Sequence, residues 1–162
     1  MSVKMEVVDI EIPEGCNVII GITHFIKSVE DIYEAVKSST PDVEFAVGFC
    51  EASGPCLVRV EGNSDDLKRK VAEQAFKLGV GHSFIVYLRK AYPINVLNEL
   101  KKVPEVCTIL CATANPVQVI VAETNQGRAI LGIVDGFRSK GIETDQDREA
   151  RKAFLRRIGY KL

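Results

Sequence analysis

Residues 107–136 read CTILCATANPVQVIVAETNQGRAILGIVDG, and this stretch decides the fold. Residues 117–124 and 128–134 are rich in β-branched and other apolar side chains, and the short segment Asn125-Gln126-Gly127 separates them. Two such runs joined by a short glycine-containing turn are typical of a β-hairpin. We expect both strands to lie deep in a sheet, with polar residues gathered where the strands end.

The rest of the chain alternates between strand and helix patterns. Short apolar or alternating runs predict strands over residues 3–12, 17–22, 43–50, 56–61 and 83–89. Helices are predicted from Ser28, from the apolar stripe that ends at Gly79, from Pro93, and after a Thr144 cap. The fold class is therefore α/β, an α+β sandwich with a mixed sheet, and we interpret residues 1–162 as a single domain.

A weak internal repeat accompanies these elements. When the sequence is shifted by 61 residues, four positions coincide: Cys50, Pro55, Val58 and Val60 fall on Cys111, Pro116, Val119 and Val121. We expect, if this repeat is structural, a pseudo-duplication whose twofold axis relates the breaks at residues 51–55 and 112–116.

The composition narrows the classes of function. Hydrophobic residues make up 46% and charged residues 27% of the chain, and the formal net charge is -1. Such a balance is ordinary for a soluble globular protein, and it disfavours nucleic acid as a main partner because phosphate backbones require a basic surface. We find neither a run of 18 apolar residues nor a signal-peptide pattern, so we expect no membrane partner and a cytoplasmic location.

The chain has five cysteines without the spacing of a metal site. We interpret them as reduced thiols of the core, with Cys107 and Cys111 on one face of a strand. The alternative is a redox-sensitive Cys50 or Cys111 beside a functional site.

Polar residues at the breaks between apolar strands are the candidate functional residues. Glu51 and Asp135 can accept a hydrogen bond from a sugar hydroxyl or ligate Mg²⁺. The alternative is that each is an ordinary carboxylate in a turn exposed to water, and no metal ligand is certain. Thr113 and Asn115 can both donate and accept hydrogen bonds, as recognition of an adenine edge or a ribose requires.

His24 and His82 are the two histidines of the chain, and each lies beside a glycine-containing break. His24 precedes the helix predicted from Ser28, whose N-terminus favours an anion such as phosphate. His82 lies where a helix ends, so the helix dipole there has the wrong sign. Lys27 and Arg128 are cations that can bind the same anion, unless they are only exposed side chains.

The standard nucleotide-binding signatures are absent. The chain contains no Gly-x-x-x-x-Gly-Lys-Ser/Thr loop, and no Gly-x-Gly-x-x-Gly pattern opens a helix. The residues alone therefore indicate a compact polar site at strand ends and do not indicate a kinase.

Five short motifs nevertheless occur together in order. They are GITHF at residues 21–25, EASGP at 51–55, GH at 81–82, ATANP at 112–116 and VDG at 134–136. Through them the chain, from about Val3 to Tyr160, resembles the adenosine-specific kinase family of archaea and bacteria. The resemblance implies an adenosine- or AMP-binding phosphotransferase that uses ATP as donor, Mg²⁺ and a phosphorylated histidine.

The resemblance does not say which histidine is phosphorylated. Because the helix N-terminus favours the anion at His24 and Gly81 leaves space beside His82, we expect His82 to be the nucleophile and His24 to bind and neutralise the phosphate. The reverse assignment stays open, and Asp135 is expected to assist catalysis. The adenosine would contact the breaks at both ends of the repeat, and Arg128 and Lys27 would contact the phosphate. The expected adenosine contacts are Glu51, Ser53, Thr113, Asn115 and Asp135.

Two further expectations concern the protein as a whole. A rival function is a non-catalytic nucleotide-sensing module, in which the phosphohistidine only marks a state. The chain should also form a homo-oligomer, because its many strands leave sheet edges that association can cover.

Overall fold

The computed structural model of this protein describes residues 2–162, and these form eight strands and four helices. Their bounds, in chain order, are β1 (Lys4–Ile10), β2 (Cys16–Thr23), α1 (Ser28–Ser39), β3 (Glu44–Cys50), β4 (Val58–Gly62), α2 (Asp65–Leu78), β5 (Ser83–Arg89), α3 (Pro93–Lys102), β6 (Val106–Thr113), β7 (Val117–Glu123), β8 (Arg128–Asp135) and α4 (Asp145–Arg157). The predicted α/β class is confirmed.

The strands form two sheets. The larger has the order β4-β3-β5-β2-β6, and the smaller has the order β1-β7-β8. Every described strand pair is antiparallel. We had predicted a mixed sheet, and that part of the prediction is wrong. Helices α1, α2 and α3 each cross between two strands of the same direction, but in every case another strand lies between those two. The inserted strand pairs antiparallel with both, so the expected parallel pairing does not occur.

Two apolar cores lie on the two faces of the larger sheet. One core joins that sheet to α2 and to the smaller sheet, and it contains Val18, Ile85 and Val119. The other joins the larger sheet to α1 and α3. The central strands β2, β3 and β5 are almost continuously apolar because both of their faces are covered.

The helices begin and end largely as their sequences predict. Leu67, Val71 and Leu78 form part of the buried stripe of α2, and Gly79 ends this helix in the left-handed conformation, with φ 60°. Thr144 caps α4 by accepting a hydrogen bond from the Asp147 N–H. At α1 no described side chain caps the helix, and the Ser28 hydroxyl donates to the Phe25 carbonyl.

The hairpin of β7 and β8 is confirmed, but β8 does not lie deep in a sheet. It is an edge strand of the smaller sheet, and its residues are half-buried or exposed. The internal repeat is not reproduced either, because β4 pairs with β3 in the larger sheet whereas β7 leaves β6 for the smaller one. Four matching positions between two segments do not determine which strand each segment pairs with.

The strand directions give the larger sheet two chemically different ends. At one end β2 and β3 finish and β4, β5 and β6 begin, and we call it the histidine end because His24 and His82 lie there. At the other end β6 finishes and leads into β7, and we call it the asparagine end after Asn115. None of the helices within residues 2–162 is long and apolar enough to cross a bilayer.

Candidate functional site

The backbone of His82 is fixed from both sides at the histidine end. Its N–H donates to the Cys50 carbonyl at 2.7 Å, and its carbonyl accepts from the Thr23 N–H at 2.8 Å. These two bonds hold His82 in the left-handed region, with φ 63°. Such a conformation is costly for a residue other than glycine and is concentrated at functional positions.

The imidazole of His82 is packed but not hydrogen-bonded. Its ring stacks on the buried Phe49 ring, with centroids 5.9 Å apart and planes 18° apart. Within residues 2–162 no polar group bonds to either ring nitrogen of His82 or His24. Packing therefore orients the His82 ring while its nitrogens stay free to react or to bind.

His24 lies in the loop between β2 and α1, directly after the Thr23 that bonds to His82. The turn that follows it uses the N–H groups of residues 28–31 for bonds to the carbonyls of residues 25–27. The N–H groups of residues 25–27 have no such acceptor among residues 2–162, so the free donors of this helix end face the His24 loop. This supports the predicted attraction of an anion to His24.

Lys27 is less free than the sequence suggests. It is paired with Asp31, and its Nζ lies 2.6 Å from Oε1 of the buried Glu105. Asp31 first, and Glu105 second, raise the pKa of Lys27 above its ordinary value, while Lys27 lowers the pKa of Asp31. A phosphate at Lys27 would have to compete with two carboxylates.

The Glu51 carboxylate is held in an ion pair and is not free to accept a hydrogen bond from a ligand. Its carboxylate accepts from the Arg59 guanidinium at 3.1 Å and from the Leu57 N–H at 3.1 Å. The Arg59 Nε is buried and has no acceptor among residues 2–162. Arg59 therefore brings a positive charge and an unused donor to the histidine end.

A cleft of about 660 Å³ opens at this end of the molecule. Glu51, Cys56 and Leu57 line one side, Phe76 and Gly79 lie at the end of α2, and the β7–β8 turn forms the opposite wall. Gly81 lines the cleft, and His82 follows it directly. This volume lies within the range of small-molecule sites.

Arg128 borders the cleft, but its guanidinium is occupied. It pairs with Glu6 at 3.0 Å and with Glu123 at 2.8 Å, and it donates to the Lys77 and Leu78 carbonyls at the end of α2. This arginine ties α2 to the smaller sheet. The predicted phosphate contact has no free pair of donors in this arrangement.

Asn115, Asp135 and Thr113 cluster at the asparagine end. The Asn115 amide donates to Asp135 at 3.1 Å, and the Asn115 N–H donates to the Thr113 hydroxyl at 3.0 Å. The structure thus brings these three predicted residues together. Their hydrogen-bonding groups are used mainly on one another.

The two ends are too far apart to share one adenosine within a chain. Thr113 lies opposite Val18 of β2, whereas His82 bonds to Thr23, five residues further along that strand. At about 3.3 Å per residue the separation is about 17 Å. The expectation that a single ligand contacts both breaks, with Asp135 assisting the histidines, is therefore corrected for the isolated chain.

The carboxylates do not offer a protein-held Mg²⁺ site. Glu51 is neutralised by Arg59, and Asp135 accepts from a neutral amide. Within residues 2–162 no group of three His, Cys, Asp or Glu residues is arranged to hold a metal ion. The donor set does not fit a magnesium ion held by these side chains, which normally needs two or more free oxygen ligands or substrate phosphates.

The thiols divide into buried and exposed groups. Cys16, Cys50 and Cys111 are buried, and burial raises the pKa of Cys111 to about 11 and also raises the pKa of Cys50. Both thiols are therefore poor thiolates, which counts against the redox alternative. Cys56 and Cys107 are exposed, contrary to expectation. Cys107 lies where the β2–β6 register shifts between Thr108 and Val106, and a second shift between Cys111 and Ile109 breaks the alternation that would have put it on the face of Cys111.

Sequence reasoning missed two charged residues of the histidine end. Arg59 belongs to an apolar strand, and Glu105 follows Pro104 with only 3% of its surface exposed. Neither carboxylate oxygen of Glu105 accepts a well-aligned hydrogen bond, and the Thr23 hydroxyl beside β6 is also buried without a partner. The sequence signal for Arg59 was an arginine within an apolar run, and no sequence signal indicated Glu105.

Comparison with known proteins relates the chain to one family and to solved structures. A family model described as adenosine specific kinase matches residues 8–161, nearly the whole chain. The chain is also similar to the PH1918 protein from Pyrococcus horikoshii OT3, whose crystal structure superposes with a TM-score of 0.96 at 45% sequence identity over 99% of each chain. No curated protein matches the chain at a significant level.

Proposed function

Because the chain belongs to the adenosine-specific kinase family, we propose that it transfers a phosphoryl group from ATP to adenosine through His82. The observation that carries this assignment is the left-handed backbone of His82, locked by two hydrogen bonds beneath an imidazole with free nitrogens. A strained residue held by its surroundings is a common feature of catalytic positions. In this proposal the protein is an enzyme of the cytoplasm.

The proposed reaction has two displacements. An imidazole nitrogen of His82 attacks the γ-phosphorus of ATP, the bond to the β,γ-bridging oxygen breaks, and ADP leaves with that electron pair. The 5′-hydroxyl of adenosine then attacks the phosphorus, its proton is released, and the bond from nitrogen to phosphorus breaks to regenerate His82. Positioning and charge neutralisation supply most of the catalysis in such transfers.

The neighbouring groups suit the transferred phosphoryl. His24 and the free N–H groups of residues 25–27 lie next to Thr23, which bonds to His82. Arg59 adds a cation with an unused donor. We assign phosphate binding to this set, with Lys27 contributing only if it is released from Asp31 and Glu105. Mg²⁺ would enter with the nucleotide phosphates.

Adenosine is assigned to the cleft lined by Gly81, the residue before His82. Glu51 and the turn that contains Ser53 form one wall, and the exposed Phe76 ring offers a surface on which adenine can stack. The structure gives two exposed thiols that report on this assignment, since Cys56 lines the cleft and Cys107 does not. Adenosine should slow alkylation of Cys56 and leave the rate at Cys107 unchanged; equal rates with and without adenosine would exclude the cleft.

Labelling with γ-labelled ATP tests the histidine step. We expect an acid-labile, alkali-stable label on the wild-type protein, its loss in His82→Asn, and its reduction without loss in His24→Asn. A label that persists in His82→Asn and disappears in His24→Asn would reverse the two roles. A label retained in both variants would eliminate the phosphohistidine altogether.

A nucleotide-sensing module remains the second candidate. It is favoured by the pairing of both cations, since Lys27 and Arg59 are each held by carboxylates and no glycine-rich phosphate loop is present. The two functions differ in turnover. The kinase forms many equivalents of AMP from adenosine and ATP, whereas the sensor stops at one phosphate per chain.

A further inference from the structure

The C-terminal 26 residues of the chain, residues 137–162, form an arm that makes no polar contact with the rest of the protein. Within residues 2–162, all of the hydrogen bonds and ion pairs of the arm join its own residues, such as Glu143 to Arg151 and Thr144 to Asp147. The last bond before it runs from the Gly136 N–H to the Pro116 carbonyl. In the described part of the chain, hydrogen bonds and ion pairs therefore do not hold the arm to the rest of the protein.

The arm also exposes apolar side chains that a soluble chain normally buries. Phe137 is 83% exposed and Ile142 is 96% exposed, and α4 has no buried residue. A helix of 13 residues is marginal in water unless its apolar side packs against something. Contacts within the single chain therefore give α4 little stabilisation, and its exposed apolar side chains suit a contact with another molecule.

The Pyrococcus horikoshii structure aligns with the arm as well as with the rest of the chain, because the alignment spans nearly the whole of both. The arm amounts to about a sixth of the residues, so a displaced arm would lower the agreement far more than is seen. An arm with so few contacts in its own chain keeps its place in a crystal of a related protein. This constancy also indicates an external contact.

A second uncovered surface lies on the outer side of the smaller sheet. We call it the apolar face, and its residues are Met5 and Val7 of β1, Ile120 of β7, and Leu131 and Val134 of β8. Met5 is 72% exposed and Leu131 is 58% exposed, and Val7 pairs with Ile120 across the sheet. A contiguous apolar surface of this kind marks an interaction site.

The arm cannot cover this face in its own chain. Phe154, Ile158 and Tyr160 border a cavity of about 690 Å³ together with Tyr92 and Leu97, beside α3. Helix α3 covers the side of the larger sheet opposite to the smaller sheet. The occupant of the apolar face must come from another molecule.

Charge distinguishes a second copy of this chain from other occupants. The arm carries eight Lys or Arg and four Asp or Glu residues, whereas residues 1–136 carry thirteen Lys or Arg and eighteen Asp or Glu residues. A net positive arm is attracted to the net negative body of another copy, while two bodies repel each other. We therefore propose that the arm of one copy lies on the apolar face of a second copy in a closed homo-oligomer.

The proposal assigns a separate effect to each surface, so two double variants test it. Light scattering should give a multiple of the 17.9 kDa chain mass for the wild type. Phe137→Ser with Ile142→Ser in the arm, and Met5→Lys with Leu131→Lys in the face, should each give 17.9 kDa with unchanged strand signals in circular dichroism. Phe76→Ser is the matched control, since Phe76 is 80% exposed but lies outside both surfaces, and it should stay assembled.

Mixing the two double variants separates arm-to-face contact from other packings. The variant with Met5→Lys and Leu131→Lys keeps an unchanged arm, and the variant with Phe137→Ser and Ile142→Ser keeps an unchanged apolar face. The mixture should therefore form a two-chain species that neither variant forms alone. A monomeric wild type, an arm variant that stays assembled, or a mixture that remains monomeric would each overturn the proposal. The second of these results would indicate direct packing of face on face.

Discussion

The left-handed backbone of His82 makes a prediction about stability that is independent of catalysis. An L-residue in this region costs about 1–2 kcal/mol, and glycine escapes that cost. Glycine also has greater freedom in the unfolded chain, which costs about 0.4–1 kcal/mol relative to alanine. The unfolding free energy of His82→Gly should thus exceed that of His82→Ala by about 0.5–1 kcal/mol.

Comparing these two variants removes other effects of losing the imidazole. Both variants lose the stacking on Phe49, so this term cancels between them. For a chain of 162 residues the difference corresponds to about 1–4 °C in Tm, which calorimetry or thermal circular dichroism resolves. Both variants should also fail to take the label from γ-labelled ATP.

His24 supplies the matched control, because it is not among the described residues with positive φ. There the order should reverse, with His24→Gly less stable than His24→Ala by about 0.4–1 kcal/mol. If His82→Ala is as stable as His82→Gly, or if both positions favour alanine, the strain assigned to His82 does not exist and the main support for its role is lost.

Three further outcomes follow from particular contacts. Gly21→Ala should lose about 1–3 kcal/mol of stability in chemical denaturation, because the added Cβ would lie 2.4 Å from the Thr108 carbonyl oxygen, while Gly132→Ala, with open space around it, should not. Arg128→Met should lower Tm and leave the affinity for ADP within twofold; an unchanged Tm with a large loss of affinity would restore its phosphate role. Arg89, with Ser64 second, lowers the pKa of Asp66 to about 2, so the ionised Asp66 carboxylate stabilises the fold fully above about pH 4 and loses this effect towards pH 2. The Tm of Asp66→Asn should therefore fall less than the wild-type Tm between about pH 4 and pH 2. Two parallel curves of Tm against pH would contradict this.

The individual elements could be predicted because each depends on local pattern. The strand over residues 83–89 and the hairpin over residues 117–135 follow from β-branched runs and a short turn. The end of α2 at Gly79 follows from the one residue type that adopts positive φ without cost. Such signals span only a few residues.

The assembly of the site could not be predicted because it depends on strand pairing. Thr113 ends β6 and Glu51 follows β3, and because these two strands run in opposite directions the residues lie at opposite ends of the sheet. The Lys27–Glu105 pair joins residues 78 positions apart. No local pattern encodes a contact of that separation, and the tie of Arg128 to α2 was missed for the same reason.

The attachment of His82 through its main chain has a consequence for changing the chemistry of the protein. The bonds to Cys50 and Thr23 fix the Cα position without using the side chain, so another side chain can be mounted at the same point. Asparagine and aspartate share with histidine an above-average tolerance for left-handed backbone. His82→Asp would offer a carboxylate in place of the imidazole, and any covalent intermediate would then be an acyl phosphate, stable in mild acid and labile in base, instead of a phosphoramidate. The fold thus fixes one backbone position at which the nucleophilic side chain can be replaced, and the replacement would change the chemical stability of the phosphorylated intermediate.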